Sequence, residues 1–235
     1  MTIQAIAFDL GNTLVSYYDM HEFPPILDRA VRAAHEVLAT EASVTLDDAL
    51  AAALTYNEEQ ADGRVWPLDA RLARLFGLRG TPSPHLREQA ARAFLGPIFE
   101  RACKYADTDG TLRRLRDAGY RLAIVSNTPW GTPAALWREE LDRHGLSSVV
   151  HASLFCVDVG WRKPSRVIFS QLLSRLDVHA DECLFVGDDQ RCDVDGAHAC
   201  GMPAILLDRA GRSAAWSGVE RTLEGVAVAL LGAGV

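Results

Sequence analysis

Aspartates gather at two places in this chain where an apolar run has just ended. Asp9 closes the run Ile3 to Phe8, and Asp188, Asp189 and Asp193 fall in Gly187-Asp188-Asp189-Gln190-Arg191-Cys192-Asp193, after the run Cys183 to Val186. A short apolar run that stops at turn residues reads as a buried strand, so each group is expected at a strand end in a sheltered crevice. Charge there is costly without partners, and clustered carboxylates repel unless a cation intervenes. The hard cation that takes one or two carboxylates together with water and phosphate oxygens is Mg²⁺. Only two lysines are present, Lys104 and Lys163. Lys163 lies in Trp161-Arg162-Lys163-Pro164, just after a strand-like stretch, and its flexible ammonium suits a point contact with carboxylate or phosphate. Ser126 and Asn127 follow the run Arg121 to Val125 and add uncharged donors for oxygens that gain charge in a transition state.

The elements that must position these residues are legible as a pattern. Runs at Ile3 to Phe8, Arg121 to Val125, Cys183 to Val186 and Ala204 to Leu207 alternate with helical patterns, which implies an α/β fold with a parallel sheet. Ligands of such sheets bind beyond the carboxyl ends of the strands, where the polar residues fall. From about Ser16 to Pro97 the pattern is helical. Thr45 and Asp48 form a capping box, Leu68 to Phe76 closes at Gly77, and Ser83-Pro84 opens a helix expected to end at Gly96-Pro97. Residues 16–97 are therefore expected to form an all-helical domain inserted after the first strand, with 1–15 and 98–235 forming the core. From its position, such an insertion overhangs the strand ends and could close over a ligand.

Taken together, Phe-Asp-Leu-Gly-Asn-Thr-Leu at 8–14, Ser126-Asn127, Lys163-Pro164 and Gly-Asp-Asp-x-x-x-Asp at 187–193 resemble the haloacid dehalogenase superfamily in order and spacing, over the whole chain. The resemblance implies a Rossmann-like core with a helical cap between the first two motifs. It implies that Asp9 is a nucleophile accepting a phosphoryl group, that Ser126 hydrogen-bonds that group, and that Lys163 offsets the charge of both. Asp188, Asp193, Asp9 and the backbone carbonyl of Gly11 would hold Mg²⁺, with Asn127 beside the substrate.

One position departs from the phosphatase pattern. A second aspartate is usual two residues after the nucleophile, where it protonates the leaving group and activates water. Here that residue is Gly11. General acid–base help is worth roughly 10²–10⁴ in rate, so the chemistry is slow, has a substitute acid, or differs. Tyr17, Asp19 and His21 follow closely enough to substitute. The dehalogenase branch also lacks that aspartate, since halide leaves without a proton, but an acidic loop serves phosphate better than a haloacid. A phosphonate-cleaving enzyme would need a cap lysine, and 16–97 contains none. The expectation is a hydrolase of small phosphorylated metabolites, with a halide-releasing enzyme and a weakly active phosphate-ligand binder as alternatives.

Bulk properties narrow the partners. A 235-residue chain with 49% hydrophobic and 23% charged residues is an ordinary globular protein. Its formal net charge of -7 disfavours nucleic acid. The five cysteines form no C-x-x-C pair, which fits reduced thiols in the cytoplasm. No signal peptide or membrane span is encoded, and either a monomer or a homodimer is compatible with the pattern. Several residues have plainer readings beside functional ones. Asp189 either orients Lys163 or metal-bound water, or caps the following helix. Arg162 either extends the positive site or is solvated. Tyr17, Tyr56, Arg64 and Trp66 either reach substrate from the cap or, as helical aromatics usually do, pack core, and Cys192, His198 and Cys200 lack a zinc ligand set.

Overall fold

The computed structural model describes residues 2–55, 63–211 and 219–232. The sheet strands are β1 (Ala5–Phe8), β4 (Arg121–Ser126), β5 (Ala152–Phe155), β6 (Cys183–Gly187), β7 (Ala204–Leu207) and β8 (Val219–Glu220), while β2 (Val15–Ser16) and β3 (Cys103–Lys104) form a separate pair. The sheet order is β5-β4-β1-β6-β7-β8, and every pairing in it is parallel. The chain builds outward from β1 to β5 on one side, then returns to add β6 to β8 on the other. The crevice at that reversal, beyond the carboxyl ends, is the usual ligand position.

Residues of β1 are buried throughout and alternate between two cores. Ile6 and Phe8 join Leu122, Ile124, Leu184 and Val186 on one face. Ala5 and Ala7 join Ala123 and Val125 on the other, under Ile168, Phe169 and Leu172 of the helix Arg166–Leu176. Small alanines at those positions let the helix lie close to the strands. Burial on both faces explains why the strands read as continuous apolar runs rather than alternating ones.

The inserted region holds α1 (Phe23–Leu38), α2 (Leu46–Thr55), α3 (Leu68–Phe76) and α4 (Pro84–Phe99). The chain leaves and rejoins the sheet layer through the antiparallel β2–β3 ribbon, where Ser16 pairs with Cys103. Ala30 and Ala34 of α1 and Phe94 and Leu95 of α4 share one core with Ile6 and Phe8. A strap of backbone also ties the region to the sheet layer. Val65 N–H donates to the Gly160 carbonyl at 3.0 Å and Arg162 N–H to the Gly63 carbonyl at 2.9 Å, Arg64 bridging Trp161. Beside it, Gly131 (φ +64) lies so close that an added Cβ would stand 2.0 Å from the Trp66 carbonyl oxygen.

Capping signals in the sequence are seen in the structure. The N–H of Asp48 donates to Thr45 Oγ1 at 3.2 Å, and Gly77 ends α3 in the left-handed conformation at φ 57°. Two boundaries need correction. The first strand begins at Ala5, not Ile3. Helix α4 does not stop at Gly96-Pro97 but carries Pro97 inside it to Phe99. Proline ends a helix partly by crowding the preceding Cβ, which Gly96 lacks. The Glu100 N–H still reaches the Gly96 carbonyl at 2.9 Å.

Candidate active site

Asp9 leaves the carboxyl end of β1 with its N–H bonded to the Val186 carbonyl of β6 at 2.9 Å, so its position is set by the sheet. Lys163 is 4% exposed. Its Nζ lies 2.5 Å from Asp9 Oδ1 and 2.7 Å from Asp193 Oδ1, and donates to the Val125 carbonyl at 3.0 Å. Asn127 fixes the backbone of that lysine: its Nδ2 donates to the Lys163 carbonyl at 3.1 Å and its Oδ1 accepts the Lys163 N–H at 2.8 Å. Ser126, the last residue of β4, is buried one strand from Asp9. Residues distant in sequence thus converge on one crevice.

Asp193 returns to the site because Gly187 leaves room. A Cβ at Gly187 would stand 2.2 Å from Asp193 Oδ2, the oxygen that accepts the Asp189 N–H at 3.0 Å. Asp189 itself is exposed and caps the turn Gln190–Asp195, its Oδ1 accepting from the Cys192 N–H at 2.7 Å. Of its two readings, the capping one is seen. Arg162 follows neither of its readings cleanly: half-buried, it donates to the Thr128 carbonyl at 2.9 Å.

Asp9, Asp188 and Asp193 each offer an oxygen, all within 4.8 Å of one another. Burial, reinforced by Asp9 and Asp193, pushes the Asp188 carboxyl up to about 8. Burial also pushes Asp193 up to about 6, although Lys163 opposes the shift. Burial alone would lower the Lys163 ammonium, but Asp193 and Asp9 together raise it. One cation among three crowded carboxylates leaves excess negative charge, and the donors are hard oxygens. The residues present therefore fit a divalent ion such as Mg²⁺.

A cleft of about 610 Å³ opens onto Asp188 and is lined on its other walls by Asn12, Tyr18, Asp19, Glu22, Arg101 and Arg209, among others. Arg101 and Glu22 were not singled out from sequence, where nothing distinguishes Arg101 from many other arginines. Of the three residues that follow closely in sequence, Tyr17 and Asp19 line the cleft and His21 does not. The Tyr17 hydroxyl is enclosed, its pKa raised by burial and then by Glu140, while the ring packs against Trp137 at 5.6 Å. Of the other aromatics and charges, Trp66 is 44% exposed, Arg64 sits 5.4 Å over the Trp161 ring, and Tyr56 lies outside the described residues.

A doubly wound parallel sheet with a lysine and three carboxylates at its central strand ends defines an α/β enzyme with an acidic, oxygen-rich site. The chain belongs to the haloacid dehalogenase-like hydrolases, whose family model matches residues 3–201. It is 32% identical over 142 residues to a ribulose-1,5-bisphosphate 5-phosphatase of Halopiger xanaduensis, a match spanning 60% of this chain and 58% of that protein. A glyceraldehyde 3-phosphate phosphatase of Methanopyrus kandleri is 27% identical over 207 residues, 88% of this chain and 84% of the relative. A crystal structure of a haloacid dehalogenase phosphatase from Thermococcus onnurineus superposes with a TM-score of 0.67 at 28% identity, covering 98% of each chain.

Proposed function

We propose that this hydrolase is a Mg²⁺-dependent phosphohydrolase of small phosphorylated metabolites, working in the cytoplasm through an aspartyl-phosphate on Asp9. The observation that carries the reading is the Asp9–Lys163 ion pair at 2.5 Å, set at the end of the central strand beside Asp188 and Asp193. That the relatives from Halopiger xanaduensis and Methanopyrus kandleri are phosphatases supports the phosphate chemistry. Residues 16–97 serve as the cap domain over a core of 1–15 and 98–235.

In this mechanism one Asp9 oxygen attacks phosphorus while Lys163 offsets the charge gathering on nucleophile and phosphoryl oxygens. Ser126 donates its hydroxyl to a phosphoryl oxygen. Asn127 acts chiefly by holding Lys163, and its second amide hydrogen can meet the phosphoryl group. Asp9, Asp188, Asp193 and the Gly11 carbonyl would hold Mg²⁺, which when bound neutralises phosphoryl oxygens and draws them toward Asp9. With glycine at position 11, the leaving oxygen takes its proton from water rather than from a carboxyl. The hydroxide so formed attacks the phosphorus of the aspartyl-phosphate, releasing inorganic phosphate and returning Asp9 as its carboxylate.

The test is release of inorganic phosphate from small phosphate esters with and without Mg²⁺, beside an Asp9→Asn variant and a parallel halide assay on 2-haloacids. We expect metal-dependent phosphate release that the variant loses. Metal-independent halide release, or phosphate release that survives in Asp9→Asn, would overturn the proposal.

A further inference from the structure

Among the described residues, the cleft beside Asp188 is lined by two guanidinium groups in very different states. Arg209 is locked. It holds Asp107 through Nη1 and Nη2 at 3.2 and 3.0 Å and the Thr13 carbonyl through Nε and Nη2 at 3.2 and 2.9 Å, and it stacks 3.8 Å from the Tyr105 ring centroid. Its side chain is 15% exposed. Nothing in that arrangement is free to turn to a ligand.

Arg101 is poised instead. Its Nε donates to the Tyr17 carbonyl at 3.2 Å, which places it where the β2–β3 ribbon leaves the sheet layer. Its Nη2 reaches Glu22 Oε1 at 2.5 Å, with the two side chains 40% and 37% exposed. An ion pair that open to water contributes little to stability, so an arriving anion exchanges with it at small cost. Glu22 has an anchor of its own, because its other oxygen accepts the Asp19 N–H at 2.8 Å. It stays in place when Arg101 turns away. A guanidinium also presents a planar fork matched to carboxylate and phosphate.

We infer that Arg101 binds a second anionic group of the substrate, a carboxylate or a further phosphate, and that Glu22 is a positioning residue that holds the guanidinium ready. The inference rests on the phosphohydrolase reading for the identity of the first anion, the phosphoryl group brought to Asp9. It narrows the substrate class to phosphorylated small molecules carrying a second negative charge, and sets simple alkyl phosphates outside it.

Three ligands of matched length separate these cases: 3-phosphoglycerate, propane-1,3-diol bisphosphate and propyl phosphate. Their binding to the Mg²⁺-loaded Asp9→Asn protein is measured by calorimetry, alone and with Arg101→Met, Arg101→Lys or Glu22→Gln, beside turnover by the wild type. Arg101→Met is expected to weaken one or both of the ligands with an anionic tail about 10- to 100-fold, the range for a hydrogen-bonded charge pair. Propyl phosphate should stay within about twofold. Arg101→Lys should recover part of the discrimination, and Glu22→Gln should tighten the preferred ligand several-fold. Which ligand responds tells carboxylate from phosphate. Equal losses for all three ligands, or none, would overturn the role of Arg101 even if the wild type turns esters over. Selective loss without any turnover would keep Arg101 and remove the phosphohydrolase reading, and failure of all three to bind would remove both.

Discussion

At the scale of single residues, Gly11 decides how fast the site can work. Its φ lies outside the left-handed region, and an added Cβ would meet only the Tyr17 ring edge at 3.8 Å, an ordinary contact. Nothing in the backbone demands glycine there. We therefore expect Gly11→Asp to fold and to speed hydrolysis of esters with poor leaving groups, toward the roughly 10²–10⁴ that acid–base help supplies. Activated aryl esters should gain far less. Steady-state rates across a leaving-group series check this, and a uniform response would show that proton transfer does not limit. The residues legible from sequence were those whose chemistry is costly out of context: a carboxylate ending a buried run, a cluster of acids, one of two lysines. Asn127 was legible as present but not as a clamp on the Lys163 backbone, since that depends on a loop crossing. Arg101 was illegible because its meaning comes from the cleft it lines.

Among elements, strands were the easy part, because a strand buried on both faces must be apolar along its whole length. The docking of the helical region was not. Beside the shared side-chain core it uses backbone groups, the Val65–Gly160 and Gly63–Arg162 hydrogen bonds, which carry no side-chain signature. Gly131 is a residue whose type records this backbone contact, through its positive φ and the Trp66 carbonyl that would lie 2.0 Å from a side chain. Gly145 offers a control, with φ +72 and nothing within 4 Å of an added Cβ. Gly145→Ala should cost about 1–3 kcal/mol from backbone strain alone. Gly131→Ala should cost clearly more, because the Trp66 backbone must also retreat. Denaturant unfolding of the two variants compares them directly, and equal losses would mean the docking yields freely.

For the molecule as a whole, the carboxylate cluster ties stability to acidity and to metal. An unfolded aspartate titrates near about 3.9, whereas burial and its neighbours push Asp188 up to about 8 and Asp193 up to about 6 in the fold. Between these limits the folded state holds more protons than the unfolded one, so stability must fall as pH rises. We expect the melting temperature of metal-free protein to decline from about pH 4 to about pH 8 through these groups. Mg²⁺ should restore it most at the alkaline end, where Asp193 and increasingly Asp188 give up their protons. A scan with chelator and with Mg²⁺ would reveal parallel curves if the cluster does not bind the ion.

The strap has one more consequence. Trp161 lies on it, with the Arg64 guanidinium 5.4 Å over its ring and Lys163 two residues further on. Lifting the helical region would strip that indole of its cation and hydrate it, shifting its emission to the red. Were the helical region to lift, stopped-flow emission would report it without a label, and Trp161→Phe should remove the Trp161 share of that signal, leaving whatever Trp66 and Trp130 contribute from the same contact.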